Sequence, residues 1–214
     1  MRGVAINSIQ RLDFTSPASI RLSKLIGLDM QGLISFARRE RGLTVFSGPV
    51  EEASFPDDHF DAVTLWDVIE HFDDPVRTMR EIDRILAPGG TLLVFTINQK
   101  SLLNAFGHFF YALSGRRWKH LMALFYDIHH NFFFSPETIR GLVNRAGTLD
   151  VIDIRFASAN VRRWRTVPIH PLLILGSDVI DLVAGPLRRR YRMFVYARKR
   201  SGREERSIGA RDPG

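Results

Sequence analysis

Residues 60–98 read FDAVTLWDVIEHFDDPVRTMREIDRILAPGGTLLVFTIN, and the fold turns on this stretch. Phe60 to Trp66 is a short apolar run with β-branched residues, as expected for a strand covered on both faces. It opens into a loop carrying Asp67, Glu70 and His71. From Pro75 to Leu86 the apolar residues Val76, Met79, Ile82 and Leu86 recur at helical spacing, with Arg77, Arg80, Glu81 and Arg84 on the other face. Asp73 and Asp74 ahead of Pro75 make an acidic helix start with proline in the first turn. Pro88-Gly89-Gly90 predicts the stop, ahead of a second strand over Thr91 to Ile97. A strand, helix and strand in this order imply parallel strands joined by a right-handed crossover.

The flanking chain extends the pattern. Lys24 to Asp29 reads as a strand, followed by an amphipathic helix from Gln31 to Glu40, and Leu43 to Ser47 reads as a further short strand. Ahead of them Val4 to Ser8 makes a weak first strand, and Ser16-Pro17 can open a helix through Leu25. Because the first strand of such a sheet is central, a poor one threatens the ladder on both sides of it. Beyond the central unit come an apolar helix over Ser101 to Ser114, a helix opened by Ser135-Pro136, and late strands over Leu149 to Phe156 and Arg192 to Lys199. The fold class is α/β: a Rossmann-like, doubly wound, mostly parallel sheet with an antiparallel C-terminal strand and a degenerate first strand. Residues 1–199 make one domain with 101–134 as an insertion, and 200–214 form a basic tail of disordered composition.

Composition narrows the function. The chain has no cysteine, which excludes disulfides and thiolate metal sites. Its formal charge is +7, yet residues 188–206 hold nine Lys or Arg against two Glu, while residues 1–187 hold twenty of each sign. A body neutral by count with a cationic end argues against a nucleic-acid partner. Met1 to Ile20 lacks a continuous apolar core, so a cytoplasmic protein without a leader is expected.

The order FDAVTLWDVIEH, then DDP, then MREIDRILAPGG, then a strand ending Thr-Ile-Asn resembles the second half of the class I S-adenosylmethionine-dependent methyltransferases. The branch it is most similar to includes the quinone-biosynthesis O-methyltransferases, and the resemblance covers about residues 24–199. It implies S-adenosylmethionine as cofactor and a small, apolar or aromatic acceptor. It assigns Asp29, with Met30 beside it, to the ribose hydroxyls at the carboxyl end of a strand; otherwise Asp29 caps the following helix. It places Val50 and Glu51 at the adenine, although Pro49 stands where an acidic residue is usual, and Glu51 can equally be a solvated loop residue. Leu65 and Trp66 then lie beside the methionine part of the cofactor, and the 101–134 insertion shapes the acceptor pocket, with Trp118, His129 and His130 able to meet substrate.

One departure stands out. The Gly-x-Gly-x-Gly loop of the resembled family should fall near Ile6 to Leu12, where this chain has INSIQRL. Without those glycines the backbone cannot approach the cofactor as closely, which keeps open a second reading, a non-catalytic or truncated methyltransferase-like scaffold.

His71 is the candidate general base, with Glu70 as its carboxylate neighbour, because imidazole titrates nearest neutral pH and can take a proton from a hydroxyl as it is methylated. The alternative is that the pair only pins the loop and caps the next helix. The adjacent His129 and His130 do not predict a metal, since neighbouring side chains diverge and no paired carboxylate motif lies nearby. Over Pro171 to Ala184, Leu172, Leu175, Val179, Leu182 and Val183 share a face opposite Asp178 and Asp181. That helix either packs into the core or, with Arg188 to Arg190 behind it, makes a peripheral membrane contact over 171–190.

Overall fold

A computed structural model describes residues 2–7, 24–29, 44–47, 49–115, 117, 130–158 and 171–201. For the first three segments and 171–174 only the backbone is described. Residues 16–23 and the expected helix over 31–40, together with Met30, Trp118, His129 and the tail from 202, lie outside these residues; Lys24 and Leu25, expected to end the first of those helices, open a strand instead.

Among the described residues seven strands form one sheet in the order β3-β2-β1-β4-β5-β7-β6. They are β1 (Arg2–Asn7), β2 (Lys24–Asp29), β3 (Thr44–Ser47), β4 (Phe60–Trp66), β5 (Leu86–Ile97), β6 (Leu149–Ala157) and β7 (Arg192–Lys199). The described helices are α1 (Pro75–Ile85), α2 (Leu102–Leu113), α3 (Pro136–Asn144) and α4 (Pro171–Ala184). Strands β1 to β5 pair in parallel, and β7 is antiparallel to both β5 and β6. The first strand, weak as sequence, is in place: Val4 pairs with Ile26 on one side and with Val63 on the other.

Along β4, β5 and β7 burial alternates. Val63, Leu65, Leu92, Val94 and Val195 are sealed in one core cluster with Met79 and Ile82 of α1 and Ile139 and Val143 of α3. The opposite face, with Trp66, Phe95 and Phe194, is half-buried rather than fully covered. Helix α1 starts as its sequence dictates: the Asp74 carboxylate accepts from Val76 N at 3.1 Å and Arg77 N at 3.0 Å, and Pro75 occupies the first turn.

Its end differs from expectation. Leu86 is already strand, paired with Phe60, and the ladder resumes only at Ala62 and Thr91. The residues between, Ala87 to Gly90, arch out of register. Lys199 makes this abrupt stop tolerable, since its Nζ donates to the carbonyls of Asp83 (2.7 Å) and Leu86 (2.8 Å), which have lost their helical partners. Gly89 adopts φ +77°, and a Cβ on Gly90 would stand 2.7 Å from the Ala87 carbonyl oxygen and 3.2 Å from that of Asp61. The buried Leu86 side chain, 3.1 Å away, closes the remaining space between these two backbone oxygens. Gly90→Ala is therefore expected to destabilise the fold by about 2–3 kcal/mol, read as a lower urea midpoint at unchanged slope.

Helix α4 overturns the simpler of its two expected placements. Ser177, Ile180, Asp181 and Ala184 face inward, while Leu175, Val179, Leu182 and Val183 are exposed. The apolar stripe points away from the core.

Candidate active site at the carboxyl ends of the parallel strands

From β1 the chain proceeds outward to β2 and β3 on one side, then returns to lay β4 on the other side of β1 and continue to β5. The sheet therefore has its topological switch point between β1 and β4, and in open α/β sheets the binding crevice lies outside the carboxyl ends there. The register puts the last residues of four strands side by side: Asn7 opposite both Asp29 and Trp66, Asp29 opposite Ser47, and Trp66 opposite Phe95.

Asp29 thus ends β2 next to the crevice. Of the other expected cofactor residues, Val50 and Leu65 have side chains buried in the core, so only their backbone can face a ligand. Val50 opens a short 3-10 turn, Val50–Glu52. Glu51 is half-buried and accepts a hydrogen bond from Thr78 Oγ1 at 2.5 Å, which ties that turn to α1. Trp66 lies on the half-buried face, its ring 5.4 Å from Phe95 and 6.2 Å from Phe194.

After β4 the chain turns sharply through Asp67, at φ 45°, into the 3-10 turn Ile69–His71. Arg192 of β7 donates from one guanidinium nitrogen to both Asp67 carboxylate oxygens, at 2.7 and 2.6 Å, and lies 4.9 Å over the Phe95 ring. Glu70 is 3% exposed and accepts from Thr96 Oγ1 at 2.9 Å. Burial, reinforced by the negative charge of Asp67, pushes its carboxyl up to about 7 from an ordinary 4.5.

The His71 ring packs edge-on against His130, with centroids 4.8 Å apart. What brings His130 there is Asn131. Its N–H donates to the Glu70 carbonyl at 2.8 Å and its Nδ2 to the His71 carbonyl at 3.1 Å, clasping the segment before α3 onto the 3-10 turn. Possible ligand atoms of Glu70, His71 and His130 all lie within 4.8 Å of one another, so these three could hold a metal ion. The spacing of His129 and His130 gave no hint of this grouping, because its partners lie at the end of another strand.

The structure unites Glu70, His71 and His130 and sets Asp29 across the switch point from them. The loop is pinned, as one expected alternative had it, but Asp74 and not Glu70 or His71 caps the next helix. Sequence reasoning missed Arg192, Thr96 and Asn131. Only the last carried a signal, as a polar residue in the run His129 to Phe134.

Residues 21–151, more than half of the chain, match the family model described as a methyltransferase domain. The chain belongs to that family. The methyltransferase domain is 31% identical over 124 residues to a ubiquinone biosynthesis O-methyltransferase of Nitrosospira multiformis, covering 56% of this chain and 45% of that protein. It spans less than half the length of the curated relatives it matches. Among solved structures it resembles a chain of the complex between the Haloferax volcanii Trm112 methyltransferase activator and a methyltransferase, with a TM-score of 0.62, 17% identity, and coverage of 93% of this chain and 82% of that one. It also resembles an S-adenosylmethionine-dependent methyltransferase of Mesorhizobium loti, with a TM-score of 0.56, 14% identity and coverage of 92% and 90%. These structural likenesses establish the Rossmann-like methyltransferase fold, and the family implies S-adenosylmethionine as cofactor.

The backbone places two positions for that cofactor at this edge: Asp29 is the last residue of β2, in register with the end of β1, and the Val50–Glu52 turn follows β3.

Proposed function

We propose that this domain is an S-adenosylmethionine-dependent methyltransferase that methylates oxygen on a small apolar or aromatic acceptor. The observation that carries the reading is the pairing of Glu70 and His71 with His130 at the carboxyl end of β4, beside the switch point. S-Adenosylmethionine, when bound, supplies an electrophilic methyl group on a sulfonium sulfur. The protein's share is positioning and proton handling. Asp29 orients the ribose. His71 takes the proton of the acceptor hydroxyl, and Glu70, held by Thr96 and next to His71, stabilises the charge that imidazole gains. His130 borders the acceptor, and we assign the same role to Trp118 and His129 of the insertion from the family resemblance alone. We place the domain in the cytoplasm, with a peripheral membrane contact through residues 171–190; among the described residues no helix is long and apolar enough to cross a membrane.

Calorimetric titration with S-adenosylhomocysteine tests the reading, because that product occupies the same pocket without turning over. Micromolar binding, with methyl transfer to a phenolic acceptor, is the expected result. A folded protein that binds nothing would overturn it in favour of the scaffold. INSIQRL at residues 6–12 is the observation on the scaffold's side. Ile6 and Asn7 already belong to β1, so a glycine-rich graft belongs on residues 8–12. It is expected to tighten binding of S-adenosylhomocysteine, and an unchanged affinity would show that the missing glycines limit nothing.

A further inference from the structure

Two adjacent helices turn their apolar residues outward. In α2 the buried residues are Asn104 and Gly107, while Phe106, Phe109 and Leu113 are exposed, Leu113 by 71%. In α4 the exposed stripe is Leu175, Val179 and Leu182, the last by 75%. The two helices pack on each other and are joined at one end, where Leu102 N donates to the Arg189 carbonyl at 2.9 Å. Soluble surfaces seldom leave so much large apolar side chain in water without something to cover it.

The charge around these faces indicates what covers them. Arg188 and Arg189 are exposed at the joined end and Arg117 follows α2. Of the nine Lys or Arg in residues 188–206, Arg188 to Arg190 stand at this end, Arg190 beside Asp181; Arg198, Lys199 and Arg200 lie at the opposite edge of the sheet, and one acid, Asp178, is exposed on α4. Arg188 donates to the Ile154 carbonyl at 3.1 Å and sits over the Phe156 ring, and Arg189 donates to the Lys100 carbonyl at 2.9 Å, so both are held at this edge rather than trailing in solvent. A second copy of the chain would bring the same cations face to face across a symmetric interface. An anionic surface would pair with them.

We propose that the outward faces of α2 and α4, rimmed by Arg117, Arg188 and Arg189, dock on the headgroup region of an anionic lipid bilayer, with the phenylalanines and leucines inserted at the acyl boundary. The surface belongs to the same carboxyl edge as the active site, since α2 follows the end of β5 through Asn98 to Ser101. A lipid-soluble acceptor would therefore reach Glu70 and His71 from the membrane side. That purpose rests on the methyltransferase reading; the docking does not, and it is measured without methyl transfer, so either can fail alone.

The experiment is co-sedimentation of the full chain with vesicles of phosphatidylcholine alone or with one third phosphatidylglycerol. Binding to the anionic vesicles is expected to exceed binding to the neutral ones at least tenfold and to fall steeply with salt. Leu182→Glu and, separately, Phe109→Glu should each weaken it about tenfold or more, with an unchanged circular dichroism spectrum, because both side chains are exposed. Arg188→Gln with Arg189→Gln should remove the preference for anionic lipid. Binding that survives both apolar substitutions would assign the attraction to the basic tail and overturn the proposal. So would a dimer broken by Leu182→Glu in a protein that ignores vesicles.

Discussion

Glu70→Gln is expected to do two opposite things: to stabilise the protein at alkaline pH and to slow methyl transfer by roughly 10²-fold or more. The stability effect follows from where the carboxyl sits. It is buried, near the negative Asp67, and protonates at about 7 in the folded protein against an ordinary 4.5. Between those values the folded state keeps a proton that the unfolded chain has released, so stability falls as pH rises through this window. Glutamine removes the titration while keeping an oxygen for Thr96 Oγ1, the present donor at 2.9 Å. The variant should therefore gain about 2–3 kcal/mol relative to wild type between pH 5 and pH 8, measured as the difference of two urea titrations at each pH. Taking the difference cancels the other groups. Activity should move the other way, because an amide beside His71 cannot stabilise the imidazolium formed when the acceptor loses its proton. Affinity for S-adenosylhomocysteine should be unaffected. A variant as active as wild type would reduce Glu70 to a loop anchor.

This combination, a buried carboxylate that costs stability where it is useful, also shows what could be read in advance. The run Trp66 to His71 already placed an acid and an imidazole at a strand end, and the apolar stripe of Val76, Met79 and Ile82 defined the inward face of α1, because both are local patterns of period two or 3.6. The end of α1 was misplaced for a non-local reason. Leu86 satisfied the helical period equally well, and only its ladder partner Phe60 and the cap from Lys199 decide that it is strand. Arg192 likewise read only as the first residue of a late strand. Its contact with Asp67 spans most of the sheet in sequence and has no pattern of its own. In α4 the periodicity was legible but its direction was not: a hydrophobic stripe says that a helix has two faces, and only the neighbours determine which one turns inward.

The second large effect falls on the other side of the switch point. Asp29→Ala is expected to weaken S-adenosylhomocysteine binding by roughly 10²-fold, the loss of two hydrogen bonds to a charged acceptor. The position supports this: Asp29 is the last residue of β2, paired with Asn7 and Ser47 at the lip of the crevice. A capping aspartate at the start of the following helix would also suffer from alanine, but through stability, by about 1 kcal/mol. Asp29→Asn separates the two roles. Asparagine caps a helix as well as aspartate does, so a purely capping residue would lose neither stability nor affinity in that variant. A ribose-binding carboxylate offers two acceptor oxygens, whereas the amide offers one acceptor and a donor that faces a hydroxyl poorly. Asp29→Asn should then keep the wild-type urea midpoint and lose most of the affinity. Full affinity in Asp29→Asn with reduced stability in Asp29→Ala would move the residue out of the cofactor site.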